Sequence, residues 1–254
     1  MRLMSYNILD GGTGRADPLA EIVLAQRSDI IVLVETQDPA IVERIARRTE
    51  MDFIRAGDER HSATILSRWP IEETVDHGAQ RSEISKALLE ATVRAPDGTE
   101  WVIGAVHLHA GAFEADEQVR EKELNAVLDA FARRRREHRP HILAGDFNAN
   151  APYQRIDPSK CKPKTRQAWQ ENGGDVPRRV VQRLLDSGYV DTLRAVDEQR
   201  AAADVSFTTL HPGQRVDYVL CFGIAPRRIR DAWIEHDRLA KYASDHYPVG
   251  VEIS

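Results

Sequence analysis

The sequence predicts an α/β fold built as one large sandwich. Three observations predict it. Short apolar strands alternate with amphipathic helices, no internal repeat or low-complexity tract interrupts them, and no linker splits the 254 residues. One domain over residues 1–254 is therefore expected. That length is large for a single core but ordinary for an α/β sandwich.

The elements follow in order. Residues 2–9 read as a strand. Residues 18–26 read as a helix, with Asp17 as N-cap and Pro18 at its first position. Residues 29–34 carry the run Ile-Ile-Val-Leu-Val, which suits a strand buried on both faces. Residues 39–49 read as a helix. Residues 63–67, 86–95 and 100–107 read as strands, the last two joined by the turn signal Pro96-Asp97-Gly98. Residues 115–136 form one long helix with Val119, Leu124, Val127, Leu128 and Phe131 on a face. Its four terminal arginines, Arg133 to Arg136, are expected to be solvated and to complement the helix dipole. Residues 141–145 are a buried strand. Residues 151–179 read as a long irregular surface loop, because they hold four prolines and a Gly-Gly pair. A short helix at 178–187 follows, then strands near 205–209, 215–221, 228–234 and 247–253.

Bulk composition excludes several classes. Apolar residues make up 42% and charged residues 30%, as in a soluble globular enzyme. A net charge of −5 argues against a generic basic nucleic-acid binder, while leaving room for a locally positive site. Cys161 and Cys221 form no CxxC pair, so two free thiols are expected rather than a disulfide or a zinc site. No apolar signal core follows the N-terminus, and no segment approaches the roughly 18 apolar residues of a membrane span. The expectation is a cytoplasmic, monomeric protein without stable membrane association.

The chemistry is expected where polar residues end or interrupt apolar strands. These are Asn7, Glu35, His107, Asp146, Asn148, Asp217, Asp245 and His246. Taken singly, each has a plainer explanation: Asn and Asp as turn formers, Glu facing solvent, His as a satisfied core or surface residue. Those explanations do not cover Glu, two His and an Asp inside an apolar strand together. Metal-assisted attack on a phosphate needs such groups. It uses hard oxygen ligands, an orienting group for water, and donors for phosphoryl charge.

The ordered motifs carry a resemblance. They are Ser5-Tyr6-Asn7-Ile8 with Gly11-Gly12, Val34-Glu35, Ile65-Leu66-Ser67-Arg68-Trp69-Pro70, Val106-His107-Leu108, Gly145-Asp146-Phe147-Asn148, Arg215-Val216-Asp217-Tyr218-Val219 and Ser244-Asp245-His246-Tyr247-Pro248. From residue 3 to residue 253 the chain resembles the endonuclease/exonuclease/phosphatase superfamily, the deoxyribonuclease I-like metal-dependent phosphoesterases. Gly-Asp-Phe-Asn or Ser-Asp-His alone is weak; seven motifs in order are specific.

The resemblance implies a four-layer α/β sandwich, two packed mixed β-sheets flanked by helices, with the site at one edge. It implies a Mg²⁺ or Mn²⁺ cofactor held by Glu35, with Asn7 and Asp245 close to it. It implies that Asp146 aligns or deprotonates the attacking water and that Asn148 holds that site and a phosphate oxygen. His246 would contact the scissile phosphate, Asp217 would orient its ring, and His107 would donate to the phosphate or leaving group. A histidine held by a carboxylate on its other nitrogen also agrees with the residues themselves.

The chain departs from the family pattern in three places. Val34 replaces the usual Gln before Glu35. His61-Ser62 stands where a Glu commonly pairs with the His at position 107, so His61 is a candidate site residue. The first motif lacks the Trp-Asn-x-Asn-Gly form frequent in abasic-site endonucleases.

Substrate choice is expected to lie in residues 151–179. They hold seven cations, Arg155, Lys160, Lys162, Lys164, Arg166, Arg178 and Arg179, against three acids, with Tyr153 and Trp169. Cations with aromatics suit a phosphodiester strand or a polyphosphate; a solvated insertion is the competing reading. Arg68, Arg155, Lys162 and Lys164, with His61, are the expected substrate contacts. The expected partner is a phosphate-ester substrate, a nucleic acid or a nucleotide. Alternatives are a phosphatase or phospholipase acting on a phosphorylated lipid, inositol or sugar, and a non-catalytic scaffold of the same fold.

Overall fold

A computed structural model describes residues 1–254. The first part of the chain runs β1 (Arg2–Asn7), α1 (Ala16–Gln26), β2 (Ile30–Val34), α2 (Pro39–Thr49), β3 (Asp52–Gly57), β4 (Ser62–Ser67), β5 (Ile71–Asp76) and α3 (His77–Gln80). The middle runs β6 (Ala87–Arg94), β7 (Glu100–His107), α4 (Glu114–Ala130), α5 (Ala132–Arg136) and β8 (His141–Asp146). Then come α6 (Pro163–Glu171), α7 (Arg179–Asp186), β9 (Val190–Asp191), α8 (Thr192–Val196) and α9 (Glu198–Ala203). The chain closes with β10 (Asp217–Phe222), β11 (Ile229–Ile234), α10 (Arg238–Ala243) and β12 (Val249–Ile253).

Two six-stranded mixed sheets form, ordered β11-β12-β1-β2-β4-β3 and β5-β6-β7-β8-β10-β9. Their central strands β1, β2, β7 and β8 pack against one another. The second sheet shows why its strands read as continuous apolar runs. Ile103, Ala105, Ile142, Ala144, Val219 and Cys221 join the core between the sheets. The residues between them, Val102, Val106, Leu143, Tyr218 and Leu220, pack outward with Leu124, Val127 and Phe131. Both faces are covered, so neither alternates with polar residues. His107, Asp146 and Asp217 continue the inward-facing sets of β7, β8 and β10 by one step of two residues. The polar site therefore caps one end of the intersheet core.

Register brings these ends together. Asn7 lies beside Val34 across the parallel β1–β2 pair, and His107 beside Asp146 across the parallel β7–β8 pair. Asp217 faces Asp146 across β8–β10, and Ala87 faces His107 across β6–β7.

Several expectations are corrected. The first helix begins at Ala16, and Asp17 lies in its first turn, where it pairs with Arg44 and Arg48. The helix expected at 115–136 breaks at Phe131 into α4 and α5, where the Phe131 side chain is buried. Arg134 is not solvated: it donates twice to buried Glu90. Residues 151–179 are not irregular throughout, since Pro163 opens α6 at its first turn, a position where the missing N–H costs nothing. Residues 205–209 form an isolated bridge at Phe207 rather than a strand.

Candidate active site

Asn7 is the centre of the site. Its side-chain nitrogen donates to Glu35 Oε1 at 2.9 Å and to Asp146 Oδ2 at 3.1 Å, and lies 3.4 Å from His246 Nε2. Its own oxygen accepts the Leu9 N–H at 3.0 Å, which fixes the amide orientation. One residue thus ties the first sheet to the second.

Two residues beside it are held by unusual backbone. Glu35 has φ 59 and Asn148 φ 49, the left-handed region that side chains rarely adopt. At Glu35 the turn lets Asp10 N–H donate to Oε2 at 2.9 Å. At Asn148 it lets the backbone N–H reach Asp146 Oδ1 at 2.8 Å while the side chain donates to Leu108 O at 3.0 Å.

Asp217 Oδ2 lies 2.9 Å from His246 Nδ1, leaving Nε2 directed at Asp146, 3.8 Å away. Ser244 Oγ supports this corner: it accepts His246 N–H and donates to Asn7 O. The Phe207 ring lies 4.5 Å from the imidazole of His246, and Lys162 Nζ sits 4.3 Å above Phe207. Glu35, Lys86, Asp146, Asn148, Lys162, Lys164, Asp245 and His246 line one cavity of about 230 Å³.

The sequence matches the Endonuclease/Exonuclease/phosphatase family over residues 4–246. The chain belongs to that family. It is accordingly a phosphoesterase, and the family's chemistry depends on a divalent metal. No curated protein matches the sequence. Among solved structures, the fold is similar to an AP endonuclease from Archaeoglobus fulgidus, at 18% identity, 100% of this chain, 99% of that chain and TM-score 0.73. It is similar to the 3′ phosphatase NExo from Neisseria bound to product DNA hairpin, at 20% identity, 100% and 99% coverage and TM-score 0.71. Humanized D. rerio TDP2 matches at 17% identity, 99% and 97% coverage and TM-score 0.67.

Acidic and basic groups of the cavity shift one another's protonation. Burial and the Asp217 carboxylate push Asp146 up to about 6. Burial, with Glu35 and Asp146 nearby, also raises Asp245. Glu35 stays below the usual carboxylate range because the bonds from Asp10 and Asn7 outweigh its burial. Burial would lower His246, but Asp217 and Asp146 outweigh it and push the imidazole up to about 10, so it is an imidazolium at neutral pH.

A hard divalent cation fits this carboxylate wall. Asp245 Oδ1 is buried without a hydrogen-bond partner, and burial, added to by repulsion from nearby carboxylates, raises both Asp245 and Asp146. Ligand atoms of Asp146, Asp217 and His246 also lie within 4.8 Å of one another. A protonated His246 whose Nδ1 is committed to Asp217 is a poor ligand, however, so the oxygen side of the cluster suits the ion better.

The expected substrate contacts divide. Lys162 and Lys164 line the cavity, whereas His61 lines a separate cavity that shares Lys86 with it, and burial and Lys86 hold the His61 imidazole below the ordinary value. Arg68 does not reach the site. It follows the far end of β4, which runs antiparallel to β2, and its side chain donates to Ser28 O. Arg155 is exposed and outside the cavity, its backbone N–H bonded to Ala202 O. Tyr153 is spent too, donating its phenol hydrogen to Asp191, which also pairs with buried Arg215 at 2.5 Å. Removing one partner of such a buried pair costs about 3–5 kcal/mol. His107 is 0% exposed and absent from the cavity wall. Sequence reasoning missed Lys86, whose only signal was a cation one residue before an apolar strand.

Proposed function

We propose that the protein hydrolyses a phosphodiester of nucleic acid or nucleotide, acting at or near a strand end, with Mg²⁺ or Mn²⁺ as cofactor. The carrying observation is the cavity itself, lined by the carboxylates Glu35, Asp146 and Asp245 together with the cations Lys86, Lys162, Lys164 and His246. Opposed charge of this kind suits an anionic phosphoryl group set against a cation-binding wall. The cavity, lined also by Ala110, Gly111, Ala112 and Thr165, holds only about 230 Å³, which favours a terminal group over a continuous duplex.

When bound, the metal would supply charge to polarise the phosphate and to acidify water. Glu35 and Asp245 would hold it, with Asn7 setting the Glu35 carboxylate. The protein's own groups would do the rest. Asp146, fixed by Asn7 and the Asn148 N–H, aligns the attacking water. His246, held charged by Asp217, donates to a phosphoryl oxygen from Nε2. Asn148 keeps its side-chain oxygen free toward the cavity.

Two exposed side chains support a nucleic-acid substrate. Leu210 and Tyr242, 71% and 65% exposed, stand on neighbouring segments joined by the Thr209 N–H to Asp245 O bond of 2.9 Å. An exposed aromatic and an aliphatic side chain beside a phosphate site suit an unstacked base. The test is digestion of end-labelled linear DNA against closed circular DNA, with Mg²⁺ or Mn²⁺. Release from the linear ends with sparing of the circle supports the proposal; equal cutting of the circle contradicts the preference for ends.

A further inference from the structure

Lys86 occupies an uncommon position. Its Nζ lies 2.6 Å from His107 Nε2, and no carboxylate comes within ion-pairing distance of it. His107 is fully buried, and its Nε2 also lies 3.5 Å from Asp146 Oδ2. The ammonium donates to Nε2, which leaves the ring's own hydrogen on Nδ1, a buried atom without a partner. An ammonium carries three donors. One is used on His107 and two remain, on a half-buried side chain that lines the same cavity as Glu35 and Asp146.

The lysine is also held from both sides. Ala87 after it pairs with His107 in the β6–β7 ladder. Ser85 before it donates its N–H at 2.9 Å and its hydroxyl at 2.5 Å to Glu123 Oε1. The other Glu123 oxygen accepts His109 N–H at 2.7 Å. Glu123 is fully buried on α4, so it fastens the segments carrying Lys86 and His107 to one point. A cation placed this firmly, with donors unspent and no counter-charge in contact, suits a bound anion.

We propose that Lys86 is the catalytic residue that contacts the substrate's phosphoryl oxygens from the second sheet, and that His107 is a positioning residue behind it. This rests on the phosphoesterase reading of the cavity. Lys86 then meets the phosphate in the cavity that Lys162 and Lys164 also line, and the donor role that the resemblance implies for His107 passes to the lysine. Glu123 sets the position of both.

The test uses the intact protein with Mg²⁺, with inorganic phosphate as the binding probe and bis(p-nitrophenyl) phosphate as the reporter of turnover. Lys86→Met keeps the length and removes the charge; Lys86→Arg keeps charge and donors. Thermal unfolding establishes that both are folded. Phosphate affinity measured by calorimetry should fall about tenfold or more in Lys86→Met and recover largely in Lys86→Arg. Turnover should fall by about 10²-fold in Lys86→Met, the scale of losing one preorganised donor. Absence of phosphate binding by the wild type, equal binding by Lys86→Met, or a loss that Lys86→Arg does not restore would each overturn the assignment. A wild type that binds phosphate through Lys86 yet hydrolyses no phosphoester would refute the proposed function and the lysine's catalytic role, leaving only its contact with the anion.

Discussion

Asp217 Oδ2 and His246 Nδ1 lie 2.9 Å apart, and both residues are buried at the end of the intersheet core. The pair fixes which imidazole nitrogen faces the cavity. Asp217→Asn and His246→Gln should each lower kcat by about 10²–10⁴-fold. Because they act as one unit, the double variant should be little worse than either single variant. Additive losses in steady-state kinetics would show that they act separately.

The same pair makes stability depend on pH. His246 in the folded protein titrates at about 10, above its ordinary value of 6.5. A raised pKa stabilises the fold fully below the ordinary value and loses that contribution as pH rises through the folded value. In metal-free buffer, the Tm advantage of wild type over His246→Gln should be largest near pH 6 and shrink steadily towards pH 10. A constant difference across that window would contradict the linkage.

Metal dependence follows from the carboxylate wall. EDTA should abolish turnover, and Mg²⁺ or Mn²⁺ should restore it. Glu35→Gln removes a full charge beside the buried, unpartnered Asp245 Oδ1. It should therefore raise the metal concentration needed for half-maximal rate more than it lowers the rate at saturating metal. Metal titrations of rate separate the two effects.

Lys162 and Lys164 line the cavity, whereas Lys160 lies outside it, 3.6 Å from Asp157. The double variant Lys162→Met, Lys164→Met should raise KM for an oligonucleotide. It should also make the salt dependence of binding shallower, by about 0.7–0.9 per lost phosphate contact. Lys160→Met should do neither. Measuring KM across a salt series distinguishes the cases, and an equal response from Lys160→Met would show a diffuse field rather than contacts.

The residues at strand ends were legible in the sequence because a polar group terminating a doubly buried strand has few structural reasons to be there. Asn7, Glu35, Asp146, Asn148, Asp217, Asp245 and His246 do converge. What failed depended on strand direction and register. Arg68 belongs to a recognisable motif, yet β4 runs away from the site and carries it to the far end of the sheet. Lys86 carries no distinguishing sequence signal, and only the Ala87–His107 pairing sets it against a buried imidazole. Pro163 was read as a breaker, although a proline opening a helix leaves the same local signal. The basic segment also looked uniformly available, but Arg178 and Arg179 are paired with Asp175, Glu114 and Glu121.

Asp146 is where the two halves of the site meet, joined to Asn7, His246 and the Asn148 backbone. Its substitution is the most direct test of whether this constellation is the catalytic centre. The measurement is kcat for wild type and Asp146→Asn on an end-labelled oligonucleotide, with saturating Mg²⁺ or Mn²⁺ and with EDTA. Turnover by the wild type should depend on the metal and fall by about 10²-fold or more in Asp146→Asn without loss of folding. Wild-type turnover that persists in EDTA, or an Asp146→Asn variant that turns over at the wild-type rate, would contradict this expectation.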